Sequence, residues 1–193
     1  MIYTDSAENL GSGLWYLPQV FDPKTYREIR RCYRETATGW QCLSPNRLMS
    51  LPNNPDYGYL REVALDINLA VSELTGYNLH PLDQTIFIDL PGHQLTWHFD
   101  NYNYQVLLQV YCGDITQSGM GTHWYIGDQN NILLEKFGTD SIVDVAGLPT
   151  VETVYSPNSG YINDNGQKKA HGTTKVRPGL SRESVLFTFG TKQ

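Results

Sequence analysis

The chain has 193 residues, of which 40% are hydrophobic and 18% are charged, a composition typical of a folded globular protein and not of a disordered one. The net charge is −6 and no Lys/Arg-rich block occurs, so nucleic acid is not an expected partner. Three Cys without paired spacing indicate neither a disulfide framework nor a zinc motif. With no signal-peptide pattern and no apolar run that could span a bilayer, a cytoplasmic protein without membrane contact is expected.

The first predicted elements are a strand and a helix. The stretch "GLWYLPQVF", Gly13 to Phe21, is typical of a strand. A helix is predicted directly after it, because Asp22 can cap the first turn and Pro23 suits it. Gly39 lies just past the predicted end of this helix.

A second helix is predicted from about Asp56 to Leu74, followed by Gly76 as a stop signal. Both helices are expected to pack on one face of a sheet. The segment between them, "WQCLSPNRLMSLPNNPDYGY", is interpreted either as a substrate-covering loop or as a plain connector. The apolar stripe of the second helix consists of Leu60, Val63, Ala64, Ile67, Ala70, Val71 and Leu74.

After residue 80 the pattern changes to short β-like runs separated by Gly- and Pro-containing turns. About eight strands after two helices predict a mainly β protein, a jelly roll or barrel, in a single domain. The predicted strands are "QTIFIDL", "QLTWHFD", "QVLLQVY", "GTHWYIG", "NILLEKF", "SIVDV", "TVETVY", "SGYIND" and "ESVLFTFG".

Several polar residues stand at the ends of these runs. His98 and Asp100 are two apart on a predicted strand and would therefore face the same side. Arg182 lies eleven residues after His171, at the start of the last predicted strand. Ser184, two residues further on, would face the same side of that strand. A buried Arg on an inward face is costly unless it meets an anion, and its planar fork suits a carboxylate.

Two histidines and one carboxylate are the ligands of the facial triad that holds non-haem Fe(II). Three protein ligands leave open positions on the iron, which a chelating 2-oxo acid and O2 can fill. A distant carboxylate on that co-substrate would need a cation, and Arg182 is the candidate.

With these motifs, the sequence resembles the Fe(II)/2-oxoglutarate-dependent oxygenases, and within them the small prolyl-hydroxylase-like group. The resemblance covers roughly residues 85 to 189. It rests on "HFD", "QVLLQVYCGD", "GMGTHWY", "SPNSGY", the distal His171 and "RES", in that order. It implies a double-stranded β-helix, with helical support at about residues 13–80 and a jelly-roll core at about 84–190.

The resemblance also implies residue roles. His98, Asp100 and His171 would bind Fe(II), while Arg182, assisted by Ser184, would bind the C5 carboxylate of 2-oxoglutarate. The implied reaction hydroxylates a C–H bond with O2 and releases succinate and CO2, with ascorbate as a candidate reductant. Thr122 after the glycine turn is interpreted as structural. One further 2-oxoglutarate contact is left open among three residues, Gln109, Tyr111 and Tyr125.

Two alternative functions and the identity of the substrate stay open. His123 also lies on a predicted strand, so a cupin-type metalloenzyme using His98, Asp100 and His123 is a competing hypothesis, although Arg182 lies at the expected distance from His171 only. A non-catalytic jelly-roll binding module is another. The substrate, a peptidyl side chain such as proline or a small molecule, is not specified; "NYNY" after the triad motif is a candidate for its mouth, or packs at a strand edge.

Overall fold

The structure is a computed structural model that describes residues 2–32, 34, 39–50, 58–100, 103–138, 143 and 145–192. The strands are β1 (Glu8–Gly11), β2 (Leu14–Leu17), β3 (Trp40–Ser44), β4 (Arg47–Ser50), β5 (Leu79–Asp89), β6 (Val106–Tyr111), β7 (Gln117–Tyr125), β8 (Thr150–Tyr155), β9 (Gly160–Asp164), β10 (His171–Thr173) and β11 (Arg182–Thr191). The helices are α1 (Pro23–Arg31), α2 (Gly58–Thr75) and α3 (Asn130–Phe137).

The strands form two antiparallel sheets. The large sheet has eight strands in the order β1-β2-β9-β6-β11-β5-β4-β3, and the small sheet has the order β10-β7-β8. Two facing sheets with this interleaved order are a jelly roll, so the mainly β prediction is confirmed. A cluster of buried side chains fills the space between the sheets: Leu14, Leu107, Tyr111, Met120, Trp124, Tyr155, Tyr161 and Val176.

The two predicted helices are confirmed as N-terminal support for the large sheet. Asp22 caps α1 by accepting hydrogen bonds from the backbone N–H groups of Lys24 and Thr25. The α-helical part of α1 ends at Arg31, and Cys32 and Arg34 continue in π-helical conformation, while residues 33 and 35–38 of the predicted helix lie outside the described residues. Gly76 follows α2 with φ +77°, as its role of stop signal requires. The α2 stripe is buried at Leu60, Val63, Ala64, Ile67 and Val71.

Strand alternation gives the large sheet two different faces, as β11 illustrates. Val185, Phe187 and Phe189 are fully buried in the cluster that includes the α2 stripe. Arg182 and Leu186 point to the other side, where they line a cavity between the sheets. The helices therefore stiffen the outer face of a sheet whose inner face is available for chemistry.

The prediction of a strand at "NILLEKF" is wrong, because this run forms helix α3. A short apolar run is compatible with either element, and here the helical one buries Leu133 together with the partly buried Leu134 and Phe137. The neighbouring run "SIVDV" falls mostly outside the described residues. Its two described members, Val143 and Val145, are buried but are not in a strand.

The segment between the two N-terminal helices is not a plain loop over residues 40–50. Strands β3 and β4 form an antiparallel hairpin there and extend the large sheet beyond β5. Residues 51–57, which complete the segment, lie outside the described residues. None of the described helices is both long and apolar enough to cross a membrane.

Candidate metal centre and adjoining cavity

The segment that contains His98 and Asp100 is irregular, so the prediction of a strand at "QLTWHFD" is wrong. Its only pairing among the described residues is an isolated bridge between His98 and His171, with both backbone N–H···O distances at 2.9 Å. Two further hydrogen bonds join Leu95 to Thr173, one of them to the threonine hydroxyl. Single hydrogen bonds, and not a continuous strand ladder, thus hold this segment against β10. The segment that carries His98 therefore lies beside the strand that carries His171.

Gly172 makes this close approach possible. A Cβ atom at this position would lie 3.0 Å from the carbonyl oxygen of Leu95 and 3.1 Å from the backbone nitrogen of Trp97. Such contacts are tighter than nine in ten of those that real Cβ atoms make, so the neighbouring backbone would have to shift by a few tenths of an ångström. A residue without a side chain beside His171 therefore lets the irregular segment pack directly on β10.

The three residues predicted as metal ligands lie together. The ligand atoms of His98, Asp100 and His171 are all within 4.8 Å of one another. Asp100 Oδ1 is 3.4 Å from His98 Nε2 and 3.6 Å from His171 Nε2. The set offers two imidazole nitrogens and one carboxylate oxygen to one point, which is the donor set that suits octahedral Fe(II) with open positions.

Both imidazoles are oriented by backbone carbonyls. His98 Nδ1 lies 2.8 Å from the Thr96 carbonyl oxygen, and His171 Nδ1 lies 3.1 Å from that of Lys169. A carbonyl only accepts, so each Nδ1 carries the proton and each Nε2 keeps its lone pair. Metal-binding histidines are commonly held in this way, and the residues present fit a divalent metal ion.

Asp100 is kept ionised by its surroundings. Burial alone would raise its pKa, but without a metal the charge of a protonated His171, a hydrogen bond from a protonated His98 and the hydrogen bond from Tyr104 lower the pKa well below its usual range. The Tyr104 hydroxyl donates to Asp100 Oδ2 at 2.5 Å, and Lys168 Nζ donates to the Asp100 carbonyl oxygen at 2.8 Å. One carboxylate oxygen is therefore fixed by Tyr104 while Oδ1 faces the two imidazoles.

His171 is also packed on its ring face. The Trp124 ring stacks on it with centroids 4.6 Å apart and 25° between the planes. Burial lowers the pKa of His171 below that of a free histidine, which favours the neutral form that a metal requires.

The alternative histidine lies elsewhere. Within the described residues, the cluster that can hold a metal contains His171 and not His123. His123 sits on β7 opposite Gly172, and its Nε2 is buried. Two of the three residues left open as 2-oxoglutarate contacts, Tyr111 and Tyr125, pack in hydrophobic clusters instead.

A cavity of about 400 Å³ begins at the triad and runs between the sheets. Gln109 lines it and accepts a hydrogen bond from the Tyr161 hydroxyl at 2.5 Å. Sequence patterns did not single out Tyr161. Leu95, Leu107 and Leu186 supply apolar wall. The polar and charged residues of the lining include Asp83, Asp89, Asn103, Tyr104, Thr173 and Arg182.

Arg182 is buried at the far end of this cavity, and the anion that it meets is Asp89. Its Nε and NH2 groups donate to Asp89 Oδ2 at 2.9 and 2.7 Å. It also donates to the Met120 carbonyl oxygen at 3.2 Å and to Thr173 Oγ1 at 2.9 Å. Ser184 lies on the same inward-facing side of β11 and is buried, but it does not line the cavity.

Sequence reasoning missed Asp89 and its second basic neighbour, Arg47. Arg47 Nε lies 3.0 Å from Asp89 Oδ1, and the buried His93 has its Nε2 3.5 Å from the same oxygen. The available signal was an acidic residue at the inward-facing end of "QTIFIDL", directly before the Pro91-Gly92 turn. A carboxylate there requires a cation, although the sequence does not say which one.

Solved structures with this architecture include 2-oxoglutarate oxygenases. HygX from Streptomyces hygroscopicus, with nickel and 2-oxoglutarate bound, matches with a TM-score of 0.68 at 15% identity, over 97% of this chain and 84% of HygX. An oxidoreductase of the 2OG-Fe(II) oxygenase family from Burkholderia pseudomallei gives 0.68 at 13% identity, over 92% and 84%. A Pseudomonas putida prolyl-4-hydroxylase gives 0.62 at 13% identity, over 94% of both chains.

The chain has the fold of these oxygenases. No protein-family model matches the sequence, and no curated protein matches it. At these identities the likeness concerns the fold, so an account of the activity has to come from the site itself.

Proposed function

We propose that the protein is an Fe(II)- and 2-oxoglutarate-dependent dioxygenase that hydroxylates a C–H bond of its substrate. The observation that carries the proposal is the convergence of His98, Asp100 and His171 on one point beside a cavity between the two sheets. The fold shared with HygX and a prolyl-4-hydroxylase adds support.

In this proposal each residue has a distinct task. His98 Nε2, His171 Nε2 and Asp100 Oδ1 hold the metal, with Tyr104 fixing the second carboxylate oxygen. Arg182 anchors the distal carboxylate of the co-substrate, with Ser184 on the same face of β11 assisting. When bound, Fe(II) and 2-oxoglutarate supply an oxidative decarboxylation in which one oxygen atom of O2 enters succinate, the other enters the substrate, and CO2 leaves.

The spacing of residues along β10 is consistent with a metal held at His171 and a carboxylate bound at Arg182. His171 and Thr173 are two residues apart on one strand, about 7 Å, and Thr173 accepts from Arg182. A 2-oxo diacid with its oxo-acid end at the triad would therefore extend along β10 toward Arg182. The wall between the two ends is apolar at Leu107 and Leu186, which limits the water around the reacting groups.

The substrate is proposed to enter beside Asn103 and Tyr104, which line the cavity next to the triad. The other two residues of "NYNY", 101 and 102, lie outside the described residues. One HygX structure has hygromycin B bound, and another neighbour is a prolyl-4-hydroxylase. Both substrate classes, a small molecule and a peptidyl proline, are therefore part of the proposal.

The test is an anaerobic titration of the purified protein with Fe(II) and 2-oxoglutarate. We expect a visible charge-transfer band that requires both additions, and slow succinate formation once O2 is admitted without substrate. Asp100→Asn should lose both signals, while Asp83→Asn, a carboxylate change at the mouth of the same cavity, should keep them. Absence of the band from the folded wild-type protein would refute the proposal.

A further inference from the structure

Strand β7 is interrupted by a bulge where it approaches Arg182. In the register with β8, residues 118–121 of β7 lie opposite a single residue, Val154. Extra residues of this kind lose their partners in the strand ladder, and their backbone N–H groups then need other acceptors. We call residues 118–121 the β7 bulge.

A carboxylate on the neighbouring strand accepts N–H groups of the β7 bulge. Glu152 Oε2 lies 3.1 Å from the backbone nitrogen of Gly119, and Glu152 Oε1 lies 2.9 Å from that of Gly121. Hydrogen bonds to an ionised acceptor are roughly twice as strong as those between neutral groups. A Cβ atom on Gly121 would lie 1.9 Å from the Thr153 carbonyl oxygen, so only glycine permits this close packing of the bulge on β8.

The peptide group between Met120 and Gly121 connects Glu152 to Arg182. Its N–H donates to Glu152, and its carbonyl oxygen accepts from the NH1 group of Arg182 at 3.2 Å. In a planar trans peptide the N–H and the C=O point in opposite directions. The direction of the N–H therefore fixes the direction of the carbonyl, and the carboxylate on one side strengthens the dipole that faces the arginine.

The NH1 group of Arg182 also carries the donor that remains for a ligand. Of the five N–H donors of a guanidinium, Nε and one on NH2 donate to Asp89, the other on NH2 donates to Thr173, and one on NH1 donates to Met120. Among the described residues, the second N–H of NH1 has no acceptor. The Met120 carbonyl thus orients the group by which Arg182 can bind a further carboxylate.

Glycine at position 121 would also allow this peptide group to turn over. Such a change alters only ψ of Met120 and φ of Gly121, and glycine adopts φ values that other residues avoid. The turned peptide would direct its N–H at the Arg182 guanidinium, so that two positive groups would face each other. Glu152 prevents this, because its carboxylate accepts from an N–H and repels a carbonyl oxygen.

We propose that Glu152 is a positioning residue for the distal carboxylate of a 2-oxo diacid: through the peptide between Met120 and Gly121 it holds the NH1 group of Arg182 in the orientation that binds this carboxylate. The inference rests on the proposed function, because it assumes that a 2-oxo acid binds at the triad. Glu152 itself is not among the residues that line the cavity, so it acts on the ligand only through Arg182.

The experiment measures ligand binding on protein loaded with Mn(II). N-oxalylglycine, which carries a distal carboxylate, and pyruvate, which lacks one, are titrated by calorimetry into wild type and Glu152→Gln. The amide of Gln can accept from one N–H of the β7 bulge but presents its own NH2 group to the other. We expect about tenfold weaker binding of N-oxalylglycine and pyruvate affinity within about twofold of wild type. Glu135→Gln, an equal charge change on exposed α3, should leave both affinities unchanged.

A double-mutant cycle separates positioning from a general structural role. Arg182→Lys keeps the positive charge but removes the NH1 group, so it should by itself weaken N-oxalylglycine binding. In the Arg182→Lys background, Glu152→Gln should change that affinity by less than about twofold, because the group that Glu152 positions is no longer there. A tenfold effect of Glu152→Gln in this background would overturn the inference.

A second variant keeps the inference testable if Glu152→Gln does not fold. The exposed Thr174 donates its hydroxyl to the Gly119 carbonyl oxygen, so Thr174→Val loosens the β7 bulge from another side. It should weaken N-oxalylglycine binding by about threefold and leave pyruvate binding unchanged. Unchanged N-oxalylglycine affinity in the folded variants, or an equal loss for both ligands, would contradict the role of Glu152. A wild type that binds neither ligand would instead refute the proposed function.

Discussion

The two ends of the cavity are built in different ways. The metal end depends on an irregular segment that carries His98 and Asp100 and is bound at single points to β10. The arginine end is a row of side chains in register on three neighbouring strands, β4, β5 and β11. The metal end keeps its donor atoms directed at a common point, while the charges at the arginine end already satisfy one another. We therefore expect mutations to affect binding at the first end and stability at the second.

The largest effect is expected from Asp89→Ala. This change leaves Arg182 buried without its carboxylate, so the free energy of unfolding should fall by about 3–5 kcal/mol in a denaturant titration. Asp114→Ala is the matched control, since Asp114 also pairs with two arginines, Arg30 and Arg34, but is 61% exposed. Its loss should cost less than about 1 kcal/mol. Equal losses in the two variants would contradict the distinction between the ends.

At the metal end, Asp100→Asn should reduce Fe(II) or Mn(II) affinity by more than about 100-fold. It removes a ligand outright, and the loss of a group that only supports a ligand costs 10–100-fold. The free energy of unfolding of the metal-free Asp100→Asn variant should change far less than that of Asp89→Ala. Calorimetric titration of metal provides the measurement, and a variant that keeps wild-type affinity would show that the metal binds elsewhere.

Tyr104→Phe is expected to have an intermediate effect. The Tyr104 hydroxyl fixes Asp100 Oδ2 at 2.5 Å, so its removal should weaken metal binding by about tenfold without removing a ligand. Tyr77→Phe removes a similar bond, from Tyr77 to the carboxylate of Asp164, away from the triad, and should leave metal affinity unchanged. A Tyr104→Phe variant that binds metal like the Tyr77→Phe control would rule out this supporting role.

The smallest effect concerns pH at the arginine end. Burial lowers the pKa of His93 below 6.5, so the unfolded chain takes up this proton first. The contribution of neutral His93 to stability is therefore complete above pH 6.5 and declines as the pH falls below it. His93→Gln should show a shallower loss of unfolding free energy on acidification in that window. A slope that is unchanged or steeper than that of the wild type would contradict this prediction.

The difference between the ends also explains what the sequence could and could not predict. His98 and Asp100 are neighbours in the chain, and His171 and Arg182 follow at a typical distance, so the residues of the triad were accessible from a motif. Their local structure was not, because Gly172 and single backbone bonds replace the expected strand.

The row of Arg47, Asp89 and Arg182 was not accessible, because it depends on which strands become neighbours. Arg47 lies in a segment without a clear strand pattern, and its pairing with Asp89 arises only when the β3–β4 hairpin joins β5. Fold class, by contrast, followed from alternation and turns along most of the chain. Helix α3 was predicted as a strand for a local reason, since "NILLEKF" satisfies both the strand and the helix pattern.

The central claim is that one cavity holds a metal at His98, Asp100 and His171 and a 2-oxo diacid that extends from the metal to Arg182. A crystal structure with Mn(II) and N-oxalylglycine tests it most directly. We predict Mn(II) bound by His98 Nε2, His171 Nε2 and Asp100 Oδ1, with the distal carboxylate at Arg182. A metal bound away from this triad, or a distal carboxylate that does not contact Arg182, would contradict the account.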